Sequence, residues 1–406
     1  MNNMSRTVIV VGAGPAGMLA SAFAASNGNR VILAEKNPFP GKKLLITGKG
    51  RCNVTNIAPM EDFIVNTAVN PHFMYSAFYS FTNEDVMKLL ENEGVKLKTE
   101  RGGRVFPVSD KASDVRDALK NYAERSGVEF VKAQIASIKK SDAEFCLEAS
   151  DGRSFRADSV IIATGGKSYP GTGSTGDGYR FAQSLGHSIV EPKASLVPLC
   201  TEENVKELMG LSLRNVAVSL VKNGKEIYSD FGEMLFTHFG LSGPVILSAS
   251  SHIKGNGSHK VVIDLKPALD FKTLDNRILR DFEAEKNKDF INALDALLPK
   301  KLIPAVVAMS GIDPRCKVNS ITREQRHSFV RLLKGMSFTV SGKRPVSEAI
   351  ITSGGVNVKE IDPGTMQSKL VDGLFFAGEV IDVDAYTGGF NLQIAFSTAY
   401  LAGMNA

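Results

Sequence analysis

The chain has 406 residues, 43% hydrophobic and 22% charged, which excludes disordered and fibrous classes and, at about 150 residues per domain, allows two or three domains. Lys and Arg outnumber Asp and Glu by 48 to 43, a net +5 that is thin for a dedicated nucleic-acid binder. Cys52, Cys146, Cys200 and Cys316 lie far apart with no C-x-x-C, which argues against a disulfide scaffold, a zinc site and a neighbouring dithiol, and for a reducing, cytoplasmic setting with no metal.

In chain order, Thr7–Val11 is an unbroken β-branched run suited to a strand buried on both faces. Gly12 to Gly17 is a turn, Pro15 to Ala25 a small-residue helix, and Arg30 to Ala34 a second strand ending at Glu35. The apolar start is too short for a membrane span or a signal peptide, so no membrane association is expected. Lys36 to Asn56 has no periodicity and reads as a long functional loop. Helices are expected near residues 83–93 and 113–126, a hairpin over Arg101 to Val108, and strands over 128–133, 145–148 and 159–163. Beyond about residue 190 short alternating strands appear, with an Asn223-Gly224 turn between two of them. Residues 272 to 335 look helical and charged; strand and glycine texture then returns and ends in an apolar helix. The simplest partition is one discontinuous nucleotide-binding domain, 1–190 and 345–406, interrupted by a β-rich insert (191–271) and a helical insert (272–344).

Gly12-x-Gly14-x-x-Gly17 sits where a strand meets a helix, and Pro15 and Ala16 complete it. The first glycine permits the turn, the second lets a pyrophosphate approach the backbone, and the third lets helix and strand pack closely. Phosphates would then sit at the helix N-terminus. Glu35 falls where a carboxylate binds ribose hydroxyls and repels a 2′-phosphate, so NADP is not the resident nucleotide. Two further segments favour FAD over NAD. Ala163-Thr164-Gly165-Gly166 resembles the A-T-G segment of two-dinucleotide-fold flavoproteins, and Gly378-Glu379 resembles their G-D segment, whose acid holds the ribityl chain. Gly388 and Gly389, with Asn391 and Leu392 after them, form a glycine-rich helix start that would stabilise charge on a reduced flavin. Lys36, Lys43, Gly50, Arg51, Cys52 and Asn53 of the basic loop, and Gln134 and Ile135 after the 128–133 strand, complete the cofactor-binding candidates.

Whole segments resemble the bacterial BaiN-like or aminoacetone oxidase-like family of NAD(P)/FAD-dependent flavoprotein oxidoreductases: VIVVGAGPAGMLAS, GKKLLITGKGRCNVTN, GGRVFPVSDKASDV, IIATGGKSYPGTGSTGDGY, GEMLFTHFGLSGPVIL and GLFFAGEVIDVDAYTGGFNLQIAFSTAYLAG. The resemblance spans nearly the whole chain. It implies an α/β Rossmann-like FAD domain interrupted by a β-barrel-like and helical insert. Where that family usually has Ser-Gly-Gly-Gly-Arg-Cys-Asn, this chain has Thr47-Gly48-Lys49-Gly50-Arg51-Cys52-Asn53, which puts the surroundings of the flavin in doubt at Lys49.

Lys42, Lys43, Lys49 and Arg51 could clamp phosphate and flavin edge, or be a solvated basic loop. Cys52 is expected to pack rather than react. Arg101-Gly102-Gly103-Arg104 could hold an anion or be a charged hairpin tip. His238, Arg51 and Tyr386 are the catalytic candidates, with Tyr169 a further ring for lining a flavin; a structural histidine in a strand turn is the alternative for His238. The expected activity is FAD-dependent hydride transfer between a small organic substrate or NAD(P)H, as a transient donor, and an acceptor. The alternatives are an NAD-dependent dehydrogenase, an FAD-dependent RNA-modifying enzyme and a non-catalytic flavin-binding protein. No nucleic-acid partner is expected, and oligomeric state is not readable.

Overall fold

The structure, a computed structural model, describes residues 6–142, 144–253, 255 and 257–406. The chain divides into two compact units, Met1–Ser195 with Pro345–Ala406, and Leu196–Arg344.

The strands of the first unit that matter below are β1 (Thr7–Val11), β2 (Arg30–Glu35), β3 (Thr67–Val69), β4 (Glu129–Lys132), β5 (Ser159–Ile162), β6 (Ile189–Ser195), β7 (Ile351–Val356), β8 (Leu374–Phe376) and β9 (Asp384–Ala385). Its main sheet runs β8-β5-β1-β2-β4, and every pairing is parallel. Val8 to Val11 and Val160 to Ile162 are buried, as a sheet covered on both faces requires. Helix α1 (Pro15–Ser26) and helix α2 (Phe390–Asn405) close one face. They approach closely where small residues meet: a Cβ on Gly403 would lie 2.4 Å from the Ala20 carbonyl oxygen. The chain steps from β1 outward to β2 and β4, and its later strands lie on the other side of β1. The switch point therefore falls between β1 and β5, where open α/β sheets form a crevice at the carboxyl ends of the strands.

The second unit is a closed barrel in the order Leu199–Thr201, Gly240–Ser242, Lys225–Phe236, Ser212–Lys222, His259–Asp264, Met336–Lys343. Asn223 and Gly224, both at positive φ (50° and 83°), form the expected turn, but the strands it joins are far longer than the short runs read from the sequence. Helices Phe271–Ala284, Ile303–Ser310 and Arg323–Lys334 pack on a core that includes Phe290 and Phe329, rings 5.2 Å apart.

The boundaries differ from the sequence partition in three places. β6 pairs with β7, so the first unit continues to Ser195 rather than stopping at 190. Helix Pro244–Ser251 lies inside the β-rich segment. Met336–Lys343, at the end of the segment read as helical, is the strand that closes the barrel. Neighbouring helical composition hid its alternation; cross-strand pairing with residues more than 70 and 130 positions earlier fixes it as a strand.

Candidate functional site

Three loops leave the carboxyl edge of the main sheet around the switch point. The first is Gly12–Gly17. Gly12, at φ 100°, donates to the Ala34 carbonyl, and a Cβ on it would lie 2.7 Å from the Ala163 carbonyl oxygen. A Cβ on Gly17 would meet the Gly12 carbonyl oxygen at 1.8 Å, so only glycine lets α1 approach β1 this closely. Gly14 is the opposite case: nothing lies within 4 Å of its Cβ position. That open backbone, followed by Pro15 and Ala16 in the first turn of α1, is a cradle shaped for a phosphate. Glu35 accepts from the Ala13 N–H at 2.8 Å on one oxygen, and from the Asn37 N–H and side-chain amide, each at 2.7 Å, on the other. Ala133 donates to the Glu35 carbonyl, which brings Gln134 and Ile135 beside Glu35 at the end of β4; Gln134 is exposed and Ile135 buried.

The second loop follows β5. Ala163 is buried against Gly12, and Gly165 is at φ 73°. A Cβ on Gly166 would lie 2.4 Å from Thr352 Oγ1 and 2.9 Å from Glu379 Oε1. The Thr164 hydroxyl is buried without a hydrogen-bond partner. The third loop follows β8: Gly378, at φ 74°, packs toward Ala16, and Glu379 follows it.

One interaction ties these loops together. Lys43 Nζ lies 2.6 Å from Glu379 Oε2 and 2.6 Å from the Ser168 hydroxyl. Glu379 Oε1 also accepts from Ser168 at 3.0 Å and from the Thr352 N–H at 2.9 Å. The structure thus joins Lys43 and Glu379, 336 positions apart, and adds Ser168 and Thr352, for which the sequence offered no signal.

The other loop cations have different partners. Lys36 pairs with Asp177 and Thr175, both at 2.6 Å. Arg51 pairs with Glu100 and Asp110 and lies over the Phe106 ring, 4.3 Å from its centroid. Gly48, Lys49, Gly50 and Cys52 all adopt positive φ, so Lys49 occupies a left-handed position that glycine would take without strain. Cys52 is fully buried, and burial pushes its thiol up to about 12, which leaves it protonated and unreactive. Asn53 is oriented with its side-chain oxygen buried and without a partner. The end of the loop reaches α2: the Asn56 amide donates to the Gly388 carbonyl, and a Cβ on Gly389 would lie 2.3 Å from the Thr55 carbonyl oxygen. Asn391 closes this turn by exchanging hydrogen bonds with Ala385 across its side-chain amide, and Leu392 is half-buried beside it.

Tyr386 is half-buried before this turn, its N–H donating to the Asn66 carbonyl; burial, then the Asp384 charge, raises its phenol. Tyr169 is half-buried at φ 50°. His238 lies in the barrel unit, exposed in the turn before Gly240–Ser242, its ring edge-on to Phe239.

Tertiary structure also assembles a serine–histidine–glutamate set invisible in sequence. Ser368 Oγ is 2.8 Å from His187 Nε2, and His187 Nδ1 is 3.2 Å from Glu360. Ser368 Oγ also accepts from the N–H groups of Leu370 and Val371. A hydroxyl has one donor and two acceptor sites. All three are filled, so Ser368 is a structural clasp and no nucleophile. Burial lowers the His187 pKa, which keeps its ring neutral in that role.

Among the described residues no group of His, Cys, Asp and Glu could hold a metal ion, and no helix is long and apolar enough to cross a membrane.

Residues 6–405 match the family described as HI0933-like protein Rossmann domain. The chain is 32% identical to "Ribosomal RNA dihydrouridine synthase" of Escherichia coli (strain K12), over 97% of this chain and 96% of that protein. It is 31% identical to "3-dehydro-bile acid delta(4,6)-reductase" of Clostridium scindens, over 98% of each. Among solved structures, 3-ketosteroid-delta4-(5alpha)-dehydrogenase of Rhodococcus jostii shares the fold, with TM-score 0.51 and 15% identity, covering 99% of this chain and 97% of that one.

Proposed function

The chain belongs to the HI0933-like Rossmann-domain family and is an FAD-dependent oxidoreductase, and we propose that it adds hydrogen across an electron-poor carbon–carbon double bond, in the cytoplasm, with NAD(P)H as a transient electron donor. The observation that carries this reading is the convergence of the open Gly14 cradle, Glu35 and the Lys43–Glu379 pair on one sheet edge. Those residues suit a dinucleotide with a long polar linker. Gly12 to Gly17 and the start of α1 would hold the pyrophosphate, Glu35 with Gln134 and Ile135 the adenosine end, and Lys43 with Glu379 the ribityl chain. Gly388 and Gly389 would present the start of α2 to the ring. FAD supplies the two-electron chemistry when bound. The chain's own residues orient the substrate, exclude water and place a proton. The half-buried Tyr386, two positions before Gly388, is the residue we assign to proton delivery.

The names of both relatives denote hydrogen addition, one on a uridine of RNA and one on a steroid acid, so they support the reaction class and leave the substrate class open. A small unsaturated carbonyl compound is the reading we favour. The E. coli relative supports a second, a uracil in RNA. His72, Tyr75 and Tyr79 form an exposed row of parallel rings, a surface on which bases stack, but Glu61 and Asp62 beside it suit no phosphate backbone.

The test is anaerobic reduction of the holoprotein by NADH and by NADPH, followed by reoxidation with a cyclic enone, with ribosomal RNA or with oxygen. Rapid reoxidation by the enone upholds the proposal, and by RNA alone the second reading. A colourless protein that takes up no FAD overturns both.

A further inference from the structure

Reduction of a double bond needs a proton as well as a hydride, and the segment after Glu379 holds a group built to store one. Three carboxyl groups lie close to three successive residues of β7. Glu379 accepts from the Thr352 N–H at 2.9 Å, the Ser353 side chain acts on Asp384, and the Gly354 backbone acts on Asp382. Among the described residues the one cation paired with any of them is Lys43, which pairs with Glu379. Asp382 has the Asn70 amide at 3.0 Å. Asp384 is 1% exposed; its Oδ2 accepts from the Ser195 hydroxyl at 2.8 Å, and its Oδ1 is buried with no partner.

Among the described residues, the groups around Asp384 offer no positive charge. Glu379 and Asp382 on its own segment are acidic, and Tyr386 lies two positions on. β3 and β7 carry no titratable side chain, and Glu191 and Lys193 of β6 are exposed and pair with each other. Tyr179, 4% exposed and with an unpartnered hydroxyl, faces Glu379 and Asp382. A bare carboxylate oxygen in such a place is far costlier than a neutral acid. Burial raises the Asp384 carboxyl, and the neighbouring acids raise it further. β9 leads directly into Tyr386, two positions on, and the Asp384 charge bears on the Tyr386 phenol.

We propose that Asp384 is kept as a neutral carboxylic acid and acts as a positioning residue, the proton store behind Tyr386. This rests on the reductase reading above. A hydride, originating from the nicotinamide donor, forms the C–H bond at the β-carbon, and the π electrons move toward the carbonyl. The Tyr386 O–H breaks as its proton bonds the α-carbon, and the Asp384 O–H then returns a proton to the phenolate. Solvent reprotonates the aspartate.

Infrared spectroscopy of the FAD-loaded protein at neutral pH tests the store without turnover. The carbonyl stretch of a protonated carboxylic acid, sensitive to deuterium oxide, is expected in the wild type, absent in Asp384→Asn and moved to higher frequency in Ser195→Ala. The Ser195→Ala shift identifies the same group even if Asp384→Asn folds poorly. With a cyclic enone, kcat of the wild type should fall as pH rises; Asp384→Asn should lower kcat about tenfold at neutral pH and remove that fall, while its FAD content is unchanged. No acid band in the wild type, or the same band in Asp384→Asn, overturns the proposal. So does an unaltered alkaline fall in kcat. A band that behaves as expected in a protein that reduces no enone upholds the neutral acid and overturns the reductase reading instead.

Discussion

The Gly12–Gly17 turn and the Gly41–Asn56 loop both carry residues singled out from sequence as cofactor ligands, and they differ in how far that selection held its meaning in three dimensions. In the turn, Gly17 meets a local steric demand from the Gly12 carbonyl, Gly12 leaves no room for a Cβ beside Ala163, and Gly14 leaves a cradle open. In the loop the selected groups are charges, and a charge says nothing of its partner. Lys43 reaches the C-terminal loop, whereas Arg51 turns to Glu100 and Asp110. Backbone sterics are legible within six residues; ion pairing is decided by whatever the fold brings near.

The strongest way to break this contrast is Gly17→Ala. A Cβ 1.8 Å from a backbone oxygen forces α1 off β1, at a cost of about 3 kcal/mol or more, and thermal unfolding should show a lower melting temperature together with loss of bound FAD. Gly14→Ala should instead keep the melting temperature of the FAD-free protein and weaken FAD about tenfold or more; wild-type affinity there would show that the cradle holds no phosphate.

Lys43→Met and Glu379→Gln come next. Each leaves a mostly buried charged or polar partner behind, with side chains 21% and 16% exposed in the wild type, so each should cost about 2 kcal/mol in FAD binding or stability. Because both act through one contact, the double variant should lose much less than the sum, and additive losses measured by calorimetry would separate the two residues.

Arg51→Ala should do least. Arg51 holds the Glu100 carboxyl below the usual carboxylate range by hydrogen bonding, and it helps Lys98 do the same to Asp110. A lowered acid pKa gives stability that is present above the unfolded value, about 4, and lost as pH falls through the folded value. Melting temperature measured from pH 6 to pH 3 should therefore fall more gently in Arg51→Ala than in the wild type, with FAD affinity changed less than about threefold, as expected of a partly exposed pair screened by solvent. A large loss of FAD would return Arg51 to the flavin edge.

Much of the first unit is legible in its amino-acid sequence. The β-branched runs of β1 and β5 predict buried parallel strands, and glycines after β1, β5 and β8 mark the sheet edge at which the crevice opens. Asn223-Gly224 predicts a hairpin by its own conformational preference. Less legible is the barrel, where Met336–Lys343 becomes a strand only through partners far away in sequence. Hidden altogether are Ser168, Thr352 and Asp384, common polar residues with no local pattern, which matter through the contacts they make.

The sequence by itself determined the turn that opens α1 and the parallel sheet, because each depends on short-range backbone freedom and on periodic burial. The family and the cofactor class came from segments that resemble those of known flavoproteins. Tertiary structure alone decided that Lys43 meets Glu379, that Arg51 turns to the Glu100 side, that Ser368 is saturated beside His187, and that Asp384 is buried against Ser195 with no cation. Those are questions of partner and dielectric. Both are set by residues tens to hundreds of positions away, and only the folded chain brings them within hydrogen-bonding distance.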